Sequence, residues 1–121
     1  MKSVIKHIID TCSPVVDTYF RVNPMEQPTY PYSVFSYQGE SREWEQDGAY
    51  VDMDLFDNGG TDDSRIETSL SKLKSVLEHH SAMLDDCYLR FRFDGSNVIE
   101  TMSDTLQRRS IRLYITIDWR K

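Results

Sequence analysis

Only two cysteines, Cys12 and Cys87, occur among the 121 residues, with no CxxC or zinc-ligand spacing. A disulfide-stapled scaffold is not expected, and two free thiols in a reducing cytosol are. Long apolar runs are also missing: nothing approaches the ~18 residues of a membrane span. The apolar stretch from Val4 to Ile9 is short and broken up by Lys6, His7 and Asp10, unlike a secretory leader, so no membrane contact is expected. Basic residues are in deficit, 14 against 20 acidic, for a formal charge of −6. The chain as a whole should therefore repel nucleic acid. Internal repeats and low-complexity tracts are absent.

Catalytic signatures are lacking too. There is no GxSxG elbow, and neither cysteine has a protease-like local setting. Asn58-Gly59-Gly60-Thr61 lacks the lysine of a phosphate loop, and HExxH does not occur. The pair His79-His80 precedes Asp85-Asp86, but adjacent histidines on a helix point in different directions, and a helix C-terminus is a natural place for histidine. Asp52, Asp54, Asp57, Asp62 and Asp63 form an acidic run in which Asp52 and Asp54 share a strand face, as nuclease metal ligands do. Calcium-loop spacing is missing, and no lysine or histidine base lies nearby in sequence. A metal-dependent enzyme built on Asp52 and Asp54 would need tight divalent-metal binding. No catalytic residue, cofactor or metal is expected.

What is present is enough for one compact domain over residues 1–121, with 39% hydrophobic and 12% aromatic residues. Val4, Ile5, Ile8, Ile9 and Cys12 share a helical face, predicting a helix over 3–12 that Pro14 stops. Residues 15–22 read as either helix or strand. Pro24, Pro28 and Pro31 mark an extended loop, followed by a strand over 32–37. Residues 38–48 are polar and acidic, a hairpin tip or loop. Ala49, Val51, Met53 and Leu55 alternate with Tyr50, Asp52, Asp54 and Phe56 in a clear strand. Turn chemistry over 57–60 leads to the best helix, with Ile66, Leu70, Leu73 and Leu77 on one stripe. A strand over 88–94, a turn over 94–97, an undecided stretch over 97–110 and a strand over 111–119 complete the chain. The predicted fold is α+β: an antiparallel or mixed sheet of about four strands, with two helices packed on one face.

The sheet face away from the helices carries Tyr50, Phe56, Arg90, Arg92 and Tyr114, together with Asp52. Exposed aromatics with arginines are the composition of an interface. Charge is also uneven along the chain. Acids dominate from Glu40 to Glu67, and the last third is basic through Arg90, Arg92, Arg108, Arg109, Arg112, Arg120 and Lys121. Two poles of opposite sign suit head-to-tail contact between copies, although ordinary solvated faces have the same composition.

The succession of these pieces resembles the tail terminator (tail-completion, neck) proteins of long-tailed bacteriophages. The features carrying the resemblance are the helix Val4 to Cys12 and the approach Pro28-Thr29-Tyr30-Pro31-Tyr32-Ser33-Val34. The strand Tyr50 to Phe56, the helix Ile66 to Leu77 and the arginine-led strand from Arg108-Arg109-Ser110 to Ile117 complete the likeness. Other neck and connector subunits share much of this pattern. The resemblance implies a homo-oligomeric ring, a hexamer, that caps the tail tube in the virion and joins it to the head connector. Assembly would take place in the host cytoplasm. Its partners would be copies of itself, the tail tube protein and the head-completion protein, with DNA passing through the lumen without sequence-specific binding. Candidate subunit-interface residues are Tyr50, Phe56, Arg90, Arg92, Arg108, Arg109, Arg112 and Tyr114. Asp57, Asp62 and Asp63 are candidates for an acidic lumen or ring mouth, and the strand Ile111 to Trp119 for an edge that extends the sheet between subunits. The alternative is a small acidic adaptor or inhibitor module that binds a basic partner as a monomer or dimer.

Overall fold

The computed structural model describes residues 1–43 and 46–120, and for residues 40–43 the backbone only. Trp44 and Glu45, in the acidic stretch over 38–48, and Lys121 lie outside the described residues. In chain order the elements are α1 (Lys2–Cys12), β1 (Asp17–Phe20), β2 (Tyr32–Glu43), β3 (Gln46–Asp57), α2 (Ser64–Leu77), β4 (Ser81–Met83), β5 (Cys87–Ile99) and β6 (Gln107–Trp119). The six strands form one sheet in the order β1-β2-β3-β6-β5-β4, curled into a half-barrel. The architecture is α+β as expected, but a four-stranded sheet is wrong.

Two of the additional elements are short strands at the borders. β1 runs parallel to β2, with Asp17 opposite Tyr32 and Phe20 opposite Phe35, and this pair makes the sheet mixed. Thr18, buried on that strand, bonds the Ser33 hydroxyl at 2.8 Å and the Val16 carbonyl at 2.9 Å, which satisfies its polar group. β4 pairs antiparallel with the start of β5. The predicted turn at 94–97 is also not a turn. A register shift between Phe93 and Gly95 absorbs Asp94 as a bulge, and β5 continues to Ile99. β2 and β3 likewise run on through most of the acidic segment, down to the pair Glu43–Gln46.

The core lies between the sheet and the two helices. α1 contributes Val4, Ile8 and Cys12, spaced at four residues, and α2 contributes Ile66, Leu73 and Leu77. They meet Val51, Met53 and Leu55 of β3 and Ile111, Leu113, Ile115 and Ile117 of β6, all essentially inaccessible. Each such side chain contributes about 1.5–3 kcal/mol of burial. Both cysteines are free and buried, and burial pushes the Cys12 thiol up to about 12.

α2 stops where Glu78 turns to extended backbone, and His79 follows at φ 58, in the left-handed region that favours glycine. The His79 side chain is 88% exposed, so His79→Gly removes little packing. It should raise stability by about 0.5–1 kcal/mol. A urea midpoint unchanged or lowered by the substitution would show that the left-handed backbone carries no cost.

Candidate functional site

Two surfaces position the chain's chemistry: the sheet face turned away from the helices, and the strand edges that no other strand covers. On the outer face the strand alternation that buries Val51, Met53 and Leu55 must present Tyr50, Asp52, Asp54 and Phe56. Register then sets Tyr50 opposite Tyr114, Asp52 opposite Arg112, Asp54 opposite Ser110 and Phe56 opposite Arg108. Each of two arginines on β6 thus lies between one aspartate and one aromatic ring of β3. Arg112 is 3.6 Å from Asp52 and 4.2 Å from the centre of the Tyr50 ring. Arg108 grips Asp54 with two hydrogen bonds, at 3.0 and 3.2 Å, and lies 5.6 Å from the centre of the Phe56 ring.

The same pairing continues onto β5. Arg92 sits over Tyr114 at 5.2 Å and 4.0 Å from Asp94, and Arg90 donates to Asp118 at 3.3 Å. Tyr114, with Tyr50 edge-on at 4.9 Å and Arg92 above it, is only 7% exposed. Single exposed pairs of this kind contribute a few tenths to about 1 kcal/mol each, but cross-strand networks fix register as well. Across β3, β5 and β6, four arginines (90, 92, 108, 112) balance four aspartates (52, 54, 94, 118) on this face. The excess charge of −6 therefore resides elsewhere on the chain.

Of the predicted interface residues, Tyr50, Phe56, Arg90, Arg92, Arg108, Arg112 and Tyr114 do share this face. Arg109 does not. It points inward beneath α2, 5% exposed, donates to Glu67 at 2.8 Å and lies 3.6 Å from Asp63. The two charge poles are also not poles. The acidic strand β3 and the arginine-bearing strand β6 are hydrogen-bonded neighbours along their whole length, and Arg108, Arg109 and Arg112 meet acids of the Glu40–Glu67 stretch within one chain. β6 lies in the middle of the sheet, so it offers no edge to another subunit.

Asp57, placed by sequence at a lumen, is fully buried. It is clamped by the Arg65 guanidinium, with Nε donating at 2.8 Å, and accepts the Asn58 amide at 2.8 Å. Burial pushes its carboxyl up, but the hydrogen bonds and charge of Arg65 prevail and hold it below the ordinary range. Asp62 and Asp63 are exposed, yet both serve the loop before α2. The Asp62 carboxylate accepts the Ser64 amide at 3.0 Å, and this hydrogen bonding with Ser64 holds its pKa low. Asp63 accepts from Gln107 at 2.8 Å.

Gln107 organises this end of the molecule, and sequence reading passed over it. Its buried amide donates to the Gly60 carbonyl (3.0 Å), the Asp62 carbonyl (2.9 Å) and Asp63, and accepts from the Gly59 amide (3.1 Å). The loop before α2 and the loop leading into β6 are thereby joined, with a further bond from the Gly60 amide to the Thr105 carbonyl at 3.0 Å. Gln107 lies on the buried alternation of β6, four residues before Ile111, so extending that alternation backward would have found it. Arg109 lies two residues before Ile111 on the same buried stripe.

Besides the outer sides of the short border strands β1 and β4, the longest uncovered edges among the described residues are on β2 and β5. β1 reaches only Tyr32–Phe35, and β4 only Tyr88–Arg90, with one further bond from the Phe91 amide to the His80 carbonyl. Among the described residues, positions 36–43 of β2 and 92–99 of β5 therefore have no neighbouring strand on their outer side. Val98, 62% exposed, stands on the β5 edge. Among the described residues no group of three or more His, Cys, Asp and Glu could hold a metal ion. Asp52 and Asp54 each face an arginine instead.

No family model and no curated protein matches this chain. Its fold is similar to that of a chain in the virion of a native gene transfer agent (GTA) particle. The TM-score is 0.66 at 12% identity, over 88% of this chain and 84% of that one. At that identity the likeness is one of fold.

Proposed function

We propose that this chain is a structural subunit of a phage-type virion, working by assembly with copies of itself rather than by catalysis. The observation that carries the reading is the near-complete fold likeness to a virion chain. The two uncovered edges at opposite ends of one sheet support it, because they allow a heterologous, head-to-tail contact. In the order β2-β3-β6-β5 every neighbouring pair is antiparallel, so β2 and β5 run in opposite directions. Copies related by rotation about an axis along the strands would bring β5 of one beside β2 of the next as an antiparallel pair. Because the uncovered lengths lie toward opposite ends of the sheet, that pairing is staggered, as tilted strands in a closed barrel require.

The finer assignment is a hexameric tail terminator in the neck, capping the tube and joining it to the head connector. DNA would pass without sequence-specific binding. The arginines of the outer face are already held by aspartates and rings, so a lumen lined by that face would not grip phosphates.

The test is the mass in solution by light scattering, across concentration and salt, for the native chain and for Val98→Lys. A lysine on an uncovered edge blocks strand addition without touching the core. The native chain should form a closed multiple, and the variant should stay monomeric, with the urea midpoint that the native chain has when dilute enough to be monomeric. Equal assembly of both would remove the β5 edge from the interface. A terminator, unlike another neck subunit, should also halt polymerisation of the tube protein in vitro.

A further inference from the structure

His7 of α1 and His80, in the segment joining α2 to β4, meet with their Nε2 atoms 2.9 Å apart. The rings are near-parallel, at 12°, with centroids 5.2 Å apart. That separation is about as large as two imidazoles can have at such an Nε2 contact, so the two nitrogens point at each other almost in line. No metal ion fits between nitrogens in that arrangement, because metal–nitrogen bonds of ~2.0 Å need them further apart. The contact holds one proton: one ring donates, the other accepts. Phe91 lies against both rings, at 6.1 and 5.1 Å, and the Thr11 hydroxyl is 3.3 Å from His7 Nε2.

We propose that the His7–His80 pair is a proton-counting latch on α1, closed with no or one added proton on the two rings and forced open by the second. With both rings neutral, or with a single imidazolium as donor, the Nε2–H···Nε2 bond forms. With two imidazolium rings both nitrogens carry hydrogen and both rings carry charge, so the bond becomes a repulsion.

The charged groups around the pair come from every packed segment: Lys6 and Asp10 on α1, Glu78 and His79 in the turn after α2, and Asp85 and Asp86 beyond β4. Burial, and then the charge of His80, lower the pKa of His7, with Asp10 acting the other way. A depressed histidine contributes stability that is complete above about pH 6.5 and is lost as pH falls through its folded value. This end of α1 is also tied by Ser3 to Asp86, at 2.9 and 3.0 Å, and by the charge of the N-terminal amine acting on the same carboxylate. Opening the latch should loosen the first two turns of α1 while the sheet stays intact.

The test is hydrogen exchange of the α1 amides, corrected for intrinsic rates, with ring-proton NMR titration of the histidines between pH 7.5 and 5. In the native chain His7 should titrate below the ordinary histidine value, with α1 protection falling at least tenfold across that step. His80→Gln keeps a neutral partner for His7 and should leave α1 protection with only the smaller pH response that burial of His7 produces, while His79→Gln should behave as the native chain. Titration of His7 at the ordinary histidine value with α1 protection unchanged would overturn the proposal. So would the same pH response in His80→Gln.

Discussion

Replacing Arg65 by methionine should lower stability at pH 7 by about 2–4 kcal/mol, a drop in melting temperature on the order of 10 °C. Little of this is lost packing, because the Arg65 side chain is 54% exposed while the Asp57 side chain is fully buried. The loss arises at Asp57, which is left as a buried carboxylate with only the Asn58 amide as a named donor. The pH dependence identifies the cause. In the native chain the Asp57 carboxyl is depressed below its usual 3.8. Its contribution is therefore present above that value and lost as pH falls through the folded one. Without Arg65, burial is opposed only by the Asn58 amide, and the carboxyl rises instead. The deficit of Arg65→Met should be largest near pH 7 and should shrink toward pH 4, where a proton neutralises Asp57. Urea unfolding at both pH values measures this, and an equal deficit at both would show that Arg65 acts by packing rather than by charge.

Asp57 also shows where a sequence stops being legible. The elements that bury a regular stripe could be read directly: α2 from Ile66, Leu73 and Leu77, β3 from Val51, Met53 and Leu55, β6 from Ile111 to Ile117. Period is a local property, and burial enforces it. β1 and β4, of four and three residues, are too short to show a period and exist only because β2 and β5 lie beside them. Asp94-Gly95-Ser96-Asn97 has the residues of a turn yet continues a strand, since the far half of β5 is mostly exposed and no buried stripe constrains it. The outer face was legible as a list of residues but not as a set of pairs. That Arg112 answers Asp52 and Tyr50, and Arg108 answers Asp54 and Phe56, depends on the β3–β6 register, which is not a local property. The reading of separate charge poles failed for the same reason. Positions far apart in sequence are neighbours across β3 and β6.

This pairing bears on how assembly is to be probed. Reversing Arg112 to glutamate would set two carboxylates side by side across β3 and β6, destabilising the strand pair before any subunit contact is tested. The uncovered edges avoid that confusion, because Val98 belongs to no core cluster and to no ion pair named above.

The loop joined by Gln107 gives the second large effect. Gly59 sits so close to its surroundings that an added Cβ would lie 2.6 Å from the Asp62 carbonyl and 2.9 Å from Gln107 Oε1. The first of these is backbone, held by the Asp62 amide bonding back to the Gly59 carbonyl at 3.2 Å, so the turn itself must shift. Gly59→Ala should cost about 2 kcal/mol. Gln107→Ala should cost about 2–3 kcal/mol, because it strips a partner from the Gly59 amide and from the Gly60 and Asp62 carbonyls in a part-buried setting. The two costs should not add. Once Gln107 is gone the turn is no longer held in the conformation that excludes a methyl group at residue 59, and one of the two close contacts has vanished. The double variant should therefore be more stable than the sum of the single losses predicts, by about 1 kcal/mol or more. Additivity within about 0.5 kcal/mol in a urea double-mutant cycle would mean that the Asp62 carbonyl alone sets the tightness at Gly59. Gln107 would then bridge the two loops without determining the shape of the turn.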